Sequence, residues 1–168
     1  MKRLLLGIGN ILMGDDGIGV HVARALQREK DQLGVDVEDG GTGGFSLLEF
    51  IEPYEEILVV DAAGLGMPAG SVARVSPELL GARRAWSGHD HGLVDVLRLL
   101  EAIQSDKTIR IIGVQPSSLA QSDNISPEMR AAFDSILDAV RLEATTAWES
   151  KGVRRHDRHF RSSTNVPL

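Results

Sequence analysis

Short apolar runs alternate with amphipathic segments along this chain. Three runs, Lys2–Gly9, Glu56–Val60 and Ile109–Val114, are mostly aliphatic, which is typical of strands buried on both faces of a parallel sheet. Two shorter runs, Val35–Glu38 and Ser71–Val75, predict further strands. Because helical patterns separate these runs, the order predicts a single three-layer α/β domain. Its mostly parallel, twisted sheet would have about five strands, with helices on both faces.

The amphipathic segments predict helices. They are a segment that begins near Gly17, Phe45–Ile51, a segment from His91 or Gly92 to Gln104, and a segment that begins after Ser126. The apolar face of the first helix would consist of Ile18, Val22, Ala25 and Leu26. In the last helix, Ser126 is a favoured N-cap residue and Pro127 suits the first helical position, so its start is well defined.

Composition describes an ordinary globular protein of about one domain. The chain has 168 residues, of which 42% are hydrophobic and 25% are charged. It contains no cysteine, which excludes disulfides, thiolate metal ligands and a cysteine nucleophile, and favours a cytoplasmic location. No apolar stretch reaches membrane-spanning length, so we expect no membrane partner. The apolar start, Met1–Leu6, is soon interrupted by Gly7, Gly9 and Asn10, which favours a buried strand over a signal peptide.

Charge is distributed unevenly over the chain. Residues 151–168 contain five basic residues and one acid, although the whole chain has a net charge of −6. We therefore expect one domain over residues 1–150 and a basic, flexible tail over residues 151–168, with docking of the tail to an acidic partner as the alternative. The acidic domain argues against nucleic acid as a main partner.

A glycine-rich segment near the start, "GIGNILMGDDGIG" from Gly7 to Gly19, is similar to two nucleotide-binding motifs without matching either. The dinucleotide fingerprint requires a third glycine where this chain has Leu12. The P-loop requires Lys followed by Ser or Thr, where this chain has Asp15 and Asp16. Two negative charges would repel a phosphate, so the segment predicts a site of the opposite polarity.

The acidic pair admits two interpretations. Asp15 can cap the following helix and leave Asp16 as the inward-facing carboxylate. If both side chains instead point into the crevice at the sheet edge, a cation has to offset their repulsion. Asp61 follows five apolar strand residues, and this places it at the carboxyl edge of the sheet, where ligands bind in such folds.

Other polar groups are expected at the same edge. The glycine-rich turn Asp39–Thr42 and Gln115 each follow a predicted strand, and the loop "SGHDHGL" supplies His89 and His91. A lone histidine is often only a surface or capping group. Two carboxylates and one imidazole together predict a transition-metal site with exchangeable positions. Neither HExxH nor GxSxG occurs in the chain, so the common hydrolase motifs are absent.

With these residues assembled, the chain resembles the hydrogenase maturation proteases, which process the large subunit of nickel-iron hydrogenases. The resemblance rests on the ordered blocks "GIGNILMGDDGIGVHVARAL", "DGGTGGFSLLEF", "ILVVDA", "SGHDHGLVDVL" and "IIGVQPSSL", and it extends from Lys2 to Val140. It implies a peptidase of the aspartic endopeptidase type. Such an enzyme removes the C-terminal extension of the large-subunit precursor, its partner, after nickel has been inserted.

The resemblance also implies roles for individual residues. Asp16, Asp61 and His89 would contact the metal, and His91 stands where the family usually has an apolar residue. Nickel would be the metal, carried by the substrate as a recognition element, and cadmium or zinc could substitute for it. The turn formed by Asp39, Gly40, Gly41 and Thr42 would line the cleft and hold the substrate backbone.

The residues leave the catalytic step open. Water could be polarised by the metal or activated by Asp16 or Asp61 as general base, so both carboxylates are candidate catalytic residues. Two other functions fit the same residues: a metallohydrolase that holds its own zinc and acts on a small substrate, and a non-catalytic nickel-binding chaperone.

Overall fold

The computed structural model describes residues 1–77 and 90–146, and within them five strands form one sheet. The strands are β1 (Arg3–Gly7), β2 (Asp36–Asp39), β3 (Glu56–Ala62), β4 (Val72–Val75) and β5 (Thr108–Val114). Their spatial order is β2-β1-β3-β5-β4, and every neighbouring pair is parallel except β4 and β5. The predicted sheet is therefore confirmed, with one antiparallel strand at an edge.

The helices follow the predicted order within the described residues. They are α1 (Ile18–Leu26), α2 (Lys30–Leu33), α3 (Leu47–Ile51), α4 (Asp90–Ala102) and α5 (Pro127–Thr145), with 3-10 turns at Gly14–Gly17 and Gln27–Glu29. The predicted start of α5 is confirmed, because Ser126 Oγ accepts a hydrogen bond from Met129 N at 3.2 Å. α3 begins two residues later than predicted. None of the described helices is long and apolar enough to cross a membrane.

Two hydrophobic cores lie on opposite faces of the sheet, as a three-layer domain requires. Side chains alternate along each strand, so Leu5 points to one core while Leu4 and Leu6 point to the other, and all three are fully buried. The first core contains α1 and α5, and the second contains α3 and α4. In α1 the predicted face is wrong at one position, because Ala25 is exposed and Ala23 is buried instead.

The start of α1 packs directly on the carboxyl end of the sheet. A Cβ atom at Gly19 would lie 2.1 Å from Val60 O and 2.3 Å from Ile8 O, closer than any side chain can be tolerated. The backbone itself forms this contact, so Gly19 is required for close packing of helix on strand. This close approach fixes the segment between β1 and α1, which carries both aspartates, at the ends of β1 and β3.

Candidate active site

Asp16 is buried at the carboxyl end of the sheet, in the 3-10 turn before α1. It is 4% exposed, and its Oδ2 accepts a hydrogen bond from Asn10 N at 3.0 Å. Gly9 allows this turn because its φ is +137° and a Cβ there would lie 1.9 Å from Asp16 O. A carboxylate can accept about four hydrogen bonds or ligands. Asp16 accepts one hydrogen bond from the described residues, so its carboxylate keeps the capacity to bind a cation.

Asp15 does not cap α1, and that prediction is wrong. The residue before α1 is Gly17, with no side-chain capping bond. Asp15 is 1% exposed and faces the connection between β5 and α5. Its Oδ2 accepts from Ser117 N at 2.9 Å and Ser118 N at 3.0 Å, and its Oδ1 accepts from Ser126 N at 2.6 Å. A cap offers one or two N–H donors, whereas this position offers three, which explains the outcome.

Asp61 lies within β3, next to the strand that leads to Asp16. It is 7% exposed, and its Oδ1 accepts a hydrogen bond from Ala62 N at 2.8 Å. Ile8 N donates to Val60 O at 2.9 Å, which ties the end of β1 to β3 one residue before Asp61. The two predicted carboxylates therefore emerge at the carboxyl ends of neighbouring parallel strands, as expected.

The glycine-rich turn that follows β2 lies beside the same segment. Gly9 N donates to Gly41 O at 2.8 Å, and Gly40 N donates to Gly7 O at 2.9 Å. Asp39 stabilises the turn by accepting from Gly41 N at 2.9 Å and pairs with Arg24 at 2.8 Å. The structure therefore gives the Asp39 carboxylate a structural role and leaves the backbone of the turn beside the β1 loop.

His21 on α1 lies near this turn. Its Nε2 is buried and has no hydrogen-bond partner among the described residues. Burial lowers the pKa of His21, nearby Arg24 lowers it further, and Asp39 acts in the opposite direction. The lowered pKa favours the neutral form of the imidazole.

The predicted histidine loop leads into α4. His89 lies outside the described residues, and His91 falls in the first turn of α4. A Cβ at Gly92 would lie 2.4 Å from Gly44 N, so the start of this helix packs against the loop that follows β2. The start of α4 therefore lies beside the loop that follows β2. Residues 1–77 and 90–146 do not by themselves contain a cluster of three metal-binding side chains.

Gln115 has a role that the sequence does not reveal. It is buried at the end of β5, where its Oε1 accepts hydrogen bonds from Leu65 N at 2.6 Å and Gly66 N at 3.0 Å. Its Nε2 donates to Pro116 O at 3.0 Å. The pattern places Gln115 at this edge, but backbone donors from a loop 50 residues away leave no signal in the sequence.

Together these contacts define a class of protein. It is a three-layer α/β protein with buried carboxylates at the carboxyl edge of its sheet, each of which accepts at least one backbone N–H group. Such a site can bind a cation or activate a water molecule.

The hydrogenase maturation protease family matches this chain over residues 20–143, and the chain belongs to that family. The hydrogenase 2 maturation protease of Escherichia coli is 33% identical over 145 residues, which are 83% of this chain and 88% of that protein. The hydrogenase expression/formation protein HupD of Thiocapsa roseopersicina is 38% identical over 122 residues, 69% of this chain. That match spans only 55% of HupD, and the next two relatives are spanned to 58%.

Solved structures have the same fold. The hydrogenase maturating endopeptidase HybD from Escherichia coli superposes with a TM-score of 0.71 at 29% identity, covering 87% of this chain and 94% of HybD. HybD from Thermococcus kodakarensis gives a TM-score of 0.68 at 28% identity, covering 86% and 99%. The Escherichia coli relative and both solved structures are maturation proteases or endopeptidases, which is the class that the sequence predicts.

Proposed function

We propose that this protein is an endopeptidase that removes the C-terminal extension of a nickel-iron hydrogenase large-subunit precursor after nickel insertion. Family membership supports the class of reaction. The observation that carries the proposal is the burial of Asp16 and Asp61 at the ends of neighbouring strands. A buried carboxylate is costly unless hydrogen bonds, a cation or a reacting group compensate its charge. Asp16 accepts a single described hydrogen bond and keeps capacity for such a partner.

Nickel would arrive with the substrate. Asp16, Asp61 and His89 supply oxygen and nitrogen ligands, which suit nickel and also zinc or cadmium. The chain contains no cysteine, so any thiolate ligand has to come from the precursor. A site that completes the coordination of a bound metal distinguishes loaded from empty precursor, because only the loaded form gains those contacts.

Hydrolysis requires a water molecule whose oxygen attacks the scissile carbonyl carbon. The C–N bond then breaks, and the proton lost by water reaches the leaving amine. Asp16 or Asp61 could accept that proton as general base, in the manner of an aspartic endopeptidase, and a substrate-borne metal could polarise the water instead. Burial beside apolar strand residues strengthens either interaction because it lowers the local dielectric.

The turn Asp39–Thr42 would hold the extended substrate. Its place beside the β1 loop supports this role, and the space around Gly41 is open, since a Cβ there would meet nothing within 4 Å. The cysteine-free composition favours a reducing compartment, and we propose that the reaction takes place in the cytoplasm.

Cleavage of purified precursor tests the proposal. Nickel-loaded and nickel-free precursors are incubated with the protein and their intact masses are measured. We expect only the loaded precursor to be shortened. Equal shortening of both would overturn nickel recognition, and shortening of neither would overturn the endopeptidase. Asp134→Asn, a change at an exposed position of α5, is the matched control and should cleave normally.

A further inference from the structure

One short segment, Gln115–Ser118, contacts the two loops that carry the predicted metal ligands. It follows β5 directly, at the same edge of the sheet as both carboxylates. From one end of the segment, Gln115 bonds to the loop after Asp61. From the other, Ser117 N and Ser118 N bond to the residue before Asp16.

Asp15 fixes the first of these loops. Both of its oxygens are engaged by backbone N–H groups of residues 117, 118 and 126. The backbone just before Asp15 is held by the same connection between β5 and α5. Gly14 N donates to Ser122 O at 2.8 Å, and Ser122 N donates to Leu12 O at 3.2 Å. Asp16 is the next residue, so its position depends on where Asp15 is held.

Gln115 fixes the second loop. Its Oε1 receives two N–H groups from residues 65 and 66, and Gly70 N donates to Gln115 O at 2.9 Å. Ala63 N also donates to Val114 O at 2.9 Å. The chain that leaves Asp61 is therefore bound to the end of β5 over its first eight residues or so.

We propose that Asp15 and Gln115 are positioning residues that set the separation of the Asp16 and Asp61 carboxylates. This inference rests on the proposed function, because the distance between the two carboxylates matters only if both take part in cleavage. Neither residue has to touch substrate. Both act through the Gln115–Ser118 segment, which connects one loop to the other. Misplacing a reacting group by about 1 Å can cost roughly 100-fold in rate.

The adjacent aspartates thus divide two tasks. Asp15 is acceptor-only when ionised, and three N–H donors converge on it, so an amide cannot replace it without turning an N–H group toward a donor. Asp16 receives a single described N–H and keeps its remaining capacity. This division explains why two adjacent acids occur in this loop although only Asp16 is proposed to bind the metal.

The test uses four variants of the whole protein. Asp15→Ala removes both acceptor oxygens, Asp15→Asn keeps one, and Gln115→Met keeps the length of the side chain without its polar atoms. Gln121→Met, at an exposed glutamine in the same connection, is the matched control. Each is assayed for thermal unfolding, for kcat and KM on nickel-loaded precursor, and for binding of Cd²⁺ alone by calorimetry.

We expect kcat to fall about 100-fold in Asp15→Ala and Gln115→Met, with KM within about twofold of the wild type. Asp15→Asn should lose less than Asp15→Ala, and Cd²⁺ binding should weaken in the same order. A role in stability alone would lower the folded fraction without changing kcat per folded molecule. Folded variants with normal kcat and normal Cd²⁺ binding would overturn the positioning proposal.

Failure of the two proposals can be told apart. If the wild type does not shorten the precursor, the proposed function fails, and the positioning proposal fails with it. If the wild type cleaves and the variants cleave equally well, only the positioning proposal fails. If Asp15→Ala does not fold, kcat and Cd²⁺ binding of Asp15→Asn and Gln115→Met still test the positioning proposal.

Discussion

The two ends of the sheet both bury carboxylates, but they compensate the charge differently. At the amino end, Glu56 is 5% exposed and pairs with Arg3 Nε at 2.7 Å. At the carboxyl end, Asp15 and Asp16 accept hydrogen bonds from backbone N–H groups. An arginine places a full positive charge opposite its partner. Backbone dipoles carry only partial charge, so they stabilise a carboxylate and still leave it able to attract a cation.

The largest expected effect lies at the carboxyl end. Asp16→Asn and Asp61→Asn should each lower kcat for nickel-loaded precursor by roughly 10²–10⁴-fold, because each removes a proposed general base or metal ligand. Stability should change by less than about 1 kcal/mol, since an amide oxygen can still accept the local N–H. Enzyme assays and denaturant unfolding measure the two effects. Normal cleavage by both variants would contradict the view that the carboxylates at the carboxyl end of the sheet form the active site.

Close packing at the carboxyl end predicts the next effect. Gly19→Ala would place a methyl group 2.1 Å from Val60 O, and both atoms belong to rigid elements. We expect a loss of about 3 kcal/mol in the free energy of unfolding, which denaturant titration measures. Gly34→Ala is the control, because a Cβ there meets nothing within 4 Å and only its φ of +66° is unfavourable. It should cost about 1–2 kcal/mol, and a larger cost than at Gly19 would contradict the packing explanation.

At the amino end, Glu56→Gln should affect stability and not activity. The change replaces the carboxylate opposite Arg3 with a neutral amide, and Arg3 is partly exposed, so solvent reduces the cost to about 1–2 kcal/mol. Denaturant unfolding measures this loss, and kcat for the precursor should remain that of the wild type. A fall in kcat beyond twofold would show that the two ends are coupled.

The sequence predicted most of the fold because its strands are buried on both faces and its helices have one apolar face. These features are local patterns, and Leu4–Leu6 and the Ser126 cap are examples. The division of tasks between Asp15 and Asp16 could not be predicted in the same way. The partners of Asp15 are backbone N–H groups 102 to 111 residues away, and any sequence can supply them. Likewise, the prediction of His89 as ligand stays a prediction, since it lies outside the described residues.

The smallest effect is expected at a surface pair away from both ends. Arg141 binds Glu29 at 2.9 Å, and this hydrogen bond lowers the pKa of Glu29. A lowered pKa in the folded state stabilises the protein above the unfolded pKa of glutamate, and the contribution is lost as pH falls through the folded pKa. Glu29→Gln should therefore lower Tm slightly at pH 7, and the difference from the wild type should disappear in acid. Asp31→Asn, an exposed change in the neighbouring helix, should show neither effect. A Tm difference for Glu29→Gln that is the same at pH 7 and in acid would show that the pair stabilises the fold by packing and not by charge.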